Sequence, residues 1–166
     1  MGNKIGRLLI ANRGEIAVRV ARTAAEMGIQ TVAIFATDDA LSGHVRAADS
    51  ALSIGTSGVS AYLDIERIVR LALESGCDAI HPGYGFLSEN ADFARACATA
   101  GVTFVGPTPE TLDIFGDKTA ARALATRLSV PVLVGTNGPT SVSEAVLFLE
   151  SLGDGRSEER RVGKEC

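Results

Sequence analysis

The sequence predicts an α/β domain built on an open parallel β-sheet with helices on both faces. Its 166 residues, 46% of them hydrophobic and 22% charged, suffice for one domain with a buried core. Short apolar runs alternate with amphipathic segments, and the order helix–glycine–strand recurs at Gly28, Gly76 and Gly101. Alternation of this kind favours right-handed βαβ crossovers and a parallel sheet.

The predicted strands and helices follow one another in a regular order. Nearly continuous apolar runs predict strands that are covered on both faces, and apolar residues at helical spacing predict amphipathic helices. The predicted strands are residues 7–11, 31–35, 51–54, 77–80 and 102–105. The predicted helices are residues 15–27, 65–74, 92–100, 109–115 and, after a cap at Asp117, 118 to about 128, followed by one that starts at a capping box of Ser141 and Glu144.

The first helix and the segment after the second strand carry two further expectations. Ile16, Val20, Ala24 and Met27 recur at helical spacing and form the expected buried stripe of the first helix. Residues 37–48 are polar, and we expect a loop there.

Composition and charge exclude several classes of protein. The sequence has no run of about 18 uncharged apolar residues, so we expect no membrane-spanning segment. A formal charge of −4 gives no electrostatic reason to bind nucleic acid. The three cysteines lack the spacing of a disulfide framework or a zinc site, which favours a reducing, cytoplasmic location.

Residues 156–166, RSEERRVGKEC, differ in composition from the rest of the chain. The string resembles the conceptual translation of a sequencing adapter joined to a truncated reading frame, and we therefore set it aside as a non-native tail. A natural, solvated charged tail is the alternative. The predicted organisation is a domain at residues 1–115, a helical linker at residues 116–155 and the tail at residues 156–166.

Ligand-binding residues are expected at the carboxyl edge of the sheet, where open α/β folds place their sites. Asn12, Arg13 and Gly14 follow the first strand there, with one glycine instead of the three of a dinucleotide-binding loop, which disfavours NAD. Residues 81–90, HPGYGFLSEN, carry two aromatic rings and two glycines that let backbone amides approach a ligand. The alternative is a structural loop whose rings cover the sheet edge.

A second candidate is Lys118, in the first turn of a predicted helix that Asp117 caps. The helix dipole mildly opposes a lysine there, so a nearby anion such as a nucleotide phosphate would account for it. The alternative is a solvated lysine whose charge is offset by Asp117. No Walker A loop, nucleophile elbow or metal-spaced His or Cys pair occurs in the sequence.

Several unusual segments occur together, in the order and at the spacing of one family. They are IANRGEIAVRV at residues 10–20, HVRAAD at 44–49, SAYLDIERI at 60–68, HPGYGFLSEN at 81–90 and GDK at 116–118. Together they resemble the biotin carboxylase family, which includes the corresponding parts of acetyl-CoA, propionyl-CoA, pyruvate and urea carboxylases. The resemblance extends from residue 4 to about residue 153. It implies a Rossmann-like sheet that precedes an ATP-grasp domain.

The resemblance implies that the chain is part of an ATP-dependent C–N ligase. Such enzymes use ATP and Mg2+ to activate bicarbonate as carboxyphosphate, and then pass carbon dioxide to biotin on a carrier protein. Their site must neutralise triphosphate charge and exclude water from a labile mixed anhydride. The implied partners are a biotin carboxyl carrier protein or domain, a carboxyltransferase and a second copy in a homodimer.

The resemblance also implies roles for particular residues. Lys118 matches a lysine that contacts ATP, and Arg22 and Glu26 match positions in the family's dimer contact. A surface salt bridge is the alternative for that pair. The loop that faces the biotin and bicarbonate pocket is matched by His81, Gly83, Tyr84 and Gly85, with Glu89 as an acid beside it.

Members of the family continue into an ATP-grasp domain, which carries the Gly-rich phosphate lid, the Mg2+ ligands and the residues that handle bicarbonate. Those segments are not in this sequence, so we expect no catalytic residue and no metal ligand here, and no activity from the isolated chain. Two alternatives are a Rossmann-type nucleotide-binding module without catalysis and the N-terminal domain of another ATP-grasp ligase.

Overall fold

The computed structural model describes residues 4–136, 138 and 140–152. By their internal contacts the residues form two compact units, Met1–Gly116 and Asp117–Cys166. The expected non-native tail, residues 156–166, lies outside the described residues, and so does the end of the predicted linker at residues 153–155.

The first unit contains five strands that form one parallel sheet. The strands are β1 (Arg7–Ile10), β2 (Gln30–Phe35), β3 (Ser50–Ser53), β4 (Ala79–His81) and β5 (Thr103–Phe104). Their order across the sheet is β3-β2-β1-β4-β5, and every neighbouring pair is parallel. Leu9 of β1 therefore lies between Val32 of β2 and Ile80 of β4. The strand order reverses direction between β1 and β4, which makes their carboxyl ends a topological switch point.

Helices cover both faces of this sheet, which confirms the predicted fold class. The helices of the first unit are α1 (Gly14–Glu26), α2 (Gly43–Ala47), α3 (Ile65–Glu74), α4 (Ala91–Thr99) and α5 (Pro109–Gly116). Side chains alternate between the faces along each strand. Leu9 and Ile80 pack with α3 and α4 on what we call the α3/α4 face. Leu8 and Ile10 pack with α1 on the opposite side, the α1 face.

Local signals set the ends of α3 and α4. Asp64 and Asn90 are the N-caps, and each side chain accepts a hydrogen bond of 2.9 Å from the backbone N–H three residues later. Gly76 and Gly101 follow these helices with φ of 66° and 73°. This left-handed conformation favours glycine, so both helices stop before the predicted glycine; α3 ends at Glu74 as predicted, and α4 ends one residue earlier than predicted, at Thr99.

The buried stripe of α1 matches the prediction at Ala24, but the prediction was wrong for Ile16, Val20 and Met27. The buried residues of α1 are Ala17, Ala21 and Ala24. Met27 is 67% exposed, and Ile16 and Val20 are only half-buried. Alanine side chains let the helix approach the strands closely, and the larger side chains are thereby displaced to its flank.

The expectation of a loop at residues 37–48 was also wrong in part. A 3-10 turn occupies Thr37–Asp39 and α2 follows, with His44 only 1% exposed. The Nε2 of His44 donates to the carbonyl of Ile34 at 3.2 Å, and burial lowers the pKa of His44 below its ordinary value. One buried side chain in so short a helix leaves no periodic apolar pattern in the sequence.

The second unit contains α6 (Lys118–Arg127) and α7 (Val142–Ser151). Asp117 caps α6 by accepting from two backbone N–H groups, and Ser141 and Glu144 form the predicted capping box of α7. Neither helix buries a side chain within the described part of the unit. Among all described helices, none is long and apolar enough to cross a membrane.

Candidate functional site

The candidate site lies at the switch point of the sheet. β1 leads there into the turn of residues 12–15, which we call the Asn12 turn, and β4 leads into the segment 82–90, which we call the 82–90 loop. Because β1 and β4 are hydrogen-bonded neighbours, the Asn12 turn and the 82–90 loop emerge side by side. The amide of Ala11 donates to the carbonyl of His81 at 2.9 Å, which continues the pairing to the edge of the sheet.

The 82–90 loop has a backbone that depends on its glycines. Gly83 and Gly85 have φ of 68° and 71°, and Phe86 has φ of 44°, which is uncommon for a residue with a side chain. A Cβ atom at Gly83 would lie 2.6 Å from Nδ2 of Asn12 and 2.7 Å from Cγ2 of Ile16. Only glycine therefore permits this close approach between the 82–90 loop and the Asn12 turn.

Asn12 joins the turn to the loop directly. Its side chain is fully buried, and its Nδ2 donates to the carbonyls of Pro82 at 2.7 Å and Tyr84 at 3.1 Å. Its Oδ1 accepts from the backbone N–H of Arg13 at 2.9 Å. Both amide hydrogens and the amide oxygen are thus in use, as expected for a buried polar group.

Arg13 and Tyr62 hold the loop at a second point. The rings of Tyr62 and Phe86 stack with centroids 5.3 Å apart and an interplanar angle of 11°. The guanidinium carbon of Arg13 lies 5.7 Å from the centroid of the Tyr62 ring and 5.9 Å from that of Phe86. These are distances at which cation–π attraction operates, so the ring of Phe86 is fixed by two neighbours.

Asp39 completes this anchor. It accepts from the Tyr62 hydroxyl at 2.8 Å and from Nη1 of Arg13 at 3.2 Å. Desolvation acts to raise the pKa of Asp39, but the hydrogen bonds from Tyr62 and Arg13 outweigh it, so its pKa lies below the ordinary value. Burial raises the pKa of Tyr62, which keeps its hydroxyl protonated as the donor to Asp39.

His81 is the last residue of β4 and acts on the same loop. Its Nδ1 accepts from the backbone N–H of Gly83 at 2.9 Å, so that nitrogen carries no proton. Desolvation lowers the pKa of His81, which favours the same neutral form. The imidazole therefore helps to shape the loop as a hydrogen-bond acceptor.

Tyr84 lies between the two anchors and is open to solvent. Its side chain is 56% exposed, and its hydroxyl donates to Oε2 of Glu15 at 3.2 Å. His81, Gly83 and Tyr84 line one end of a groove of about 430 Å³ whose other walls are mainly apolar side chains around α1. Glu89, at the far end of the loop, is exposed.

The remaining predicted residues lie elsewhere. Arg22 and Glu26 are exposed on α1, and no ion pair joins them in the part of the chain that the structure describes. Lys118 is exposed as the first residue of α6 in the second unit. Within the described ranges, no group of three or more His, Cys, Asp or Glu side chains is placed to hold a metal ion.

Sequence reasoning placed His81, Gly83, Tyr84 and Gly85 in one loop. The structure has His81 as the last residue of β4 and the other three in the 82–90 loop, so all four lie at the switch point. Sequence reasoning placed Asn12 and Arg13 at the same edge of the sheet but did not predict which residues support the loop. These are Asn12, Arg13, Asp39 and Tyr62. An asparagine directly after a buried strand was the one available signal, because a buried amide requires partners.

The parallel sheet and its switch-point loop define an α/β domain of the kind that binds ligands at the carboxyl edge. A family model described as the N-terminal domain of biotin carboxylase matches residues 4–112. The chain belongs to this family, which confirms the resemblance of its sequence segments.

Relatives with known names and structures agree with this assignment. Pyruvate carboxylase of Aspergillus terreus is 56% identical over 152 residues, which cover 89% of this chain and 13% of that protein. The biotin carboxylase domain of a single-chain bacterial carboxylase is 57% identical with a TM-score of 0.85, over 89% of this chain and 34% of that chain. A Hydrogenobacter thermophilus 2-oxoglutarate carboxylase domain, solved as a dimer with MgADP, ADP and bicarbonate, is 45% identical with a TM-score of 0.86, over 92% of this chain and 34% of that one. The chain thus spans about one eighth of the length of the curated relatives it matches.

Proposed function

We propose that this chain serves as the N-terminal part of a biotin carboxylase, which uses ATP, Mg2+ and bicarbonate to carboxylate biotin on a carrier protein. The observation that carries the proposal is the 82–90 loop, which presents an exposed Tyr84 at the switch point of a chain that belongs to this family. The proposed domain is residues 1–115, and residues 116–155 lead from it toward an ATP-grasp domain of the parent enzyme.

The 82–90 loop is proposed to form one wall of the biotin and bicarbonate pocket. Its contributing residues are His81, Gly83, Tyr84, Gly85 and Glu89. The exposed ring of Tyr84 offers an apolar surface to a bicyclic ligand, and the open backbone at Gly85 allows close approach. Because the loop is already anchored, ligand binding there costs little additional ordering.

Lys118 is proposed to contact the phosphates of ATP. It lies in the first turn of α6, where the helix dipole disfavours a cation and the N-cap Asp117 offsets only part of that effect. A bound triphosphate would supply compensating negative charge. ATP, when bound, supplies the phosphoryl group that activates bicarbonate.

Mg2+ is assigned to the ATP-grasp domain of the parent enzyme. The described residues of this chain contain no cluster of acidic, His or Cys side chains that could ligate it, so they do not fit that role. What this chain contributes is a fixed wall and a positive charge rather than the metal site.

The proposed partners are a biotin carboxyl carrier protein or domain, a carboxyltransferase and a second copy of the chain. Arg22 and Glu26 are proposed to belong to the homodimer contact. Their exposure on α1 is compatible with this role, and the 2-oxoglutarate carboxylase domain that resembles this chain was solved as a dimer.

A hybrid enzyme tests the function. Residues 4–152 of this chain replace the aligned segment in the biotin carboxylase domain of the single-chain bacterial carboxylase, and biotin-dependent ATP hydrolysis is measured. We expect an active hybrid, and a KM for ATP that rises about 10- to 100-fold in Lys118→Ala, as for loss of a hydrogen bond to a charged group.

Lys4→Ala is the matched control, because it removes an exposed lysine from the other end of the segment. It should leave the KM for ATP unchanged. The 166-residue chain alone should show no biotin-dependent ATP hydrolysis. A folded but inactive hybrid, or equal effects of the two lysine substitutions, would contradict the proposal.

A further inference from the structure

The Asn12 turn makes its side-chain contacts mainly with the 82–90 loop rather than with its own helix. The N-cap position of α1 is Arg13, and no side chain caps this helix by a hydrogen bond. Two of the three hydrogen bonds of Asn12 instead reach across about 70 residues to the carbonyls of Pro82 and Tyr84. A residue that only closed a tight turn would not need these contacts.

The position of these carbonyls matters for Tyr84. They belong to the 82–83 and 84–85 peptide planes, so Asn12 fixes the plane that precedes Gly83 and the plane that follows Tyr84. Phe86, two residues further, is held by Tyr62 and Arg13. Tyr84 therefore lies between two fixed points with its ring exposed.

We propose that Asn12 is a positioning residue, which holds the backbone of residues 82–84 so that Tyr84 is presented to biotin before the ligand arrives. This inference rests on the proposed function. Without the Asn12 amide, the Pro82 carbonyl loses its donor at a buried position and the Tyr84 carbonyl loses its donor at a partly buried one. The loop must move to bring the Pro82 carbonyl to water. The exposed ring of Tyr84 moves with it, while the rest of the sheet keeps its pairing.

The hydrogen bonds from Asn12 to the carbonyls of Pro82 and Tyr84 form what we call the Asn12 clamp. Hydrogen exchange on the 166-residue chain tests this clamp. In Asn12→Ala we expect the amides of residues 83–90 to exchange about tenfold faster or more, because two hydrogen bonds to the loop are lost. Asp64→Ala is the matched control, since it removes the cap of α3 without touching the loop. It should raise exchange near residues 64–67 and not in the loop. Unchanged loop exchange in Asn12→Ala overturns the proposal.

A second variant covers the case in which Asn12→Ala does not fold. Asn12→Ser keeps one hydroxyl donor in place of two N–H donors, and we expect loop exchange between that of the wild type and a freely exchanging loop. If the amides of residues 83–90 exchange at wild-type rates in Asn12→Ser, that result also overturns the proposal.

Kinetics of the hybrid enzyme separate positioning from general stability. We expect Asn12→Ala to raise the KM for biotin about tenfold and to leave the KM for ATP unchanged, whereas Asp64→Ala alters neither. Equal changes in both constants, or no change in the KM for biotin, overturn the positioning role. An inactive wild-type hybrid contradicts the proposed function alone, and hydrogen exchange then still decides the clamp.

Discussion

The two faces of the sheet are packed in different ways. On the α3/α4 face, large side chains such as Leu9, Ile68 and Phe93 interlock in one continuous core. On the α1 face, the three buried alanines of α1 lie against a few strand residues, and the groove opens beside them. One face is stabilised by the volume of apolar side chains that it buries, and the other by the close approach of a helix backbone.

This difference indicates where the molecule tolerates change. A face filled by large side chains responds to the removal of atoms, since each deletion leaves a cavity. A face built on alanines responds to the addition of atoms, since no space is left for them. Stability measurements on paired variants can test both statements.

The largest effect is expected from Phe93→Ala on the α3/α4 face. Phe93 is fully buried, and its ring meets Phe104 edge-on with centroids 5.7 Å apart. Its loss should lower the free energy of unfolding by about 3–5 kcal/mol, measured by chemical denaturation. Phe115→Ala, at a phenylalanine that is 63% exposed, is the control and should cost far less. Similar losses in the two variants would refute the distinction between a filled core and a surface position.

A smaller effect is expected from Ala21→Leu on the α1 face. Ala21 is buried against Ile10, so three extra carbon atoms must push α1 away from the sheet and cost about 1–3 kcal/mol in the same measurement. Ala25→Leu adds the same atoms to an exposed position of α1 and should be close to neutral. If Ala21→Leu is as stable as Ala25→Leu, then α1 does not lie as close to the strands as described.

The smallest effect concerns pH and the two histidines, His81, which pairs with Ile10 of β1, and His44 of α2. Burial lowers the pKa of both histidines in the folded chain. The unfolded chain therefore takes up more protons as pH falls below about 6.5, and the free energy of unfolding should decrease between pH 7.5 and 5.5.

Denaturation at both pH values measures this loss. His81→Asn, whose Oδ1 can still accept from the Gly83 N–H, should show a weaker dependence because one titrating group is gone. Asp49 and Asp78 have lowered pKa values, so their contributions are lost only at more acidic pH, below the ordinary aspartate value of 3.8. A free energy of unfolding that increases between pH 7.5 and pH 5.5 would contradict the lowered pKa values of His44 and His81.

The parts of the fold that were predicted correctly rest on local chemistry. Gly76 and Gly101 mark the ends of α3 and α4 because their left-handed backbone favours glycine, and the Ser141–Glu144 box marks the start of α7 within four residues. Ala17 and Ala21 of the alanine stripe of α1 were missed because hydrophobicity ranks Ile16 and Met27 above alanine. The distance between helix and sheet, which selects alanine, is a property of the folded chain.

The candidate site likewise has one part that could be predicted from local sequence and one part that could not. The 82–90 loop was found from its glycines and from its place after a strand, both of which are visible in a short window of sequence. The contacts that Asn12 and Tyr62 make in the site were not predicted, since their partners lie 70 and 23 residues away and pair only in the fold. The roles of the loop residues, Lys118, Arg22 and Glu26 stay predictions until the hybrid enzyme is measured.

The chain has two tyrosines and no tryptophan, and the fold puts the tyrosines in opposite environments. Tyr62 is fully enclosed, whereas Tyr84 stands in solvent on the loop. The tyrosine part of the near-ultraviolet spectrum therefore has two contributors, one in the interior and one on the loop. The absorbance and circular dichroism of Tyr84 can therefore report on ligand binding at the 82–90 loop without an attached dye.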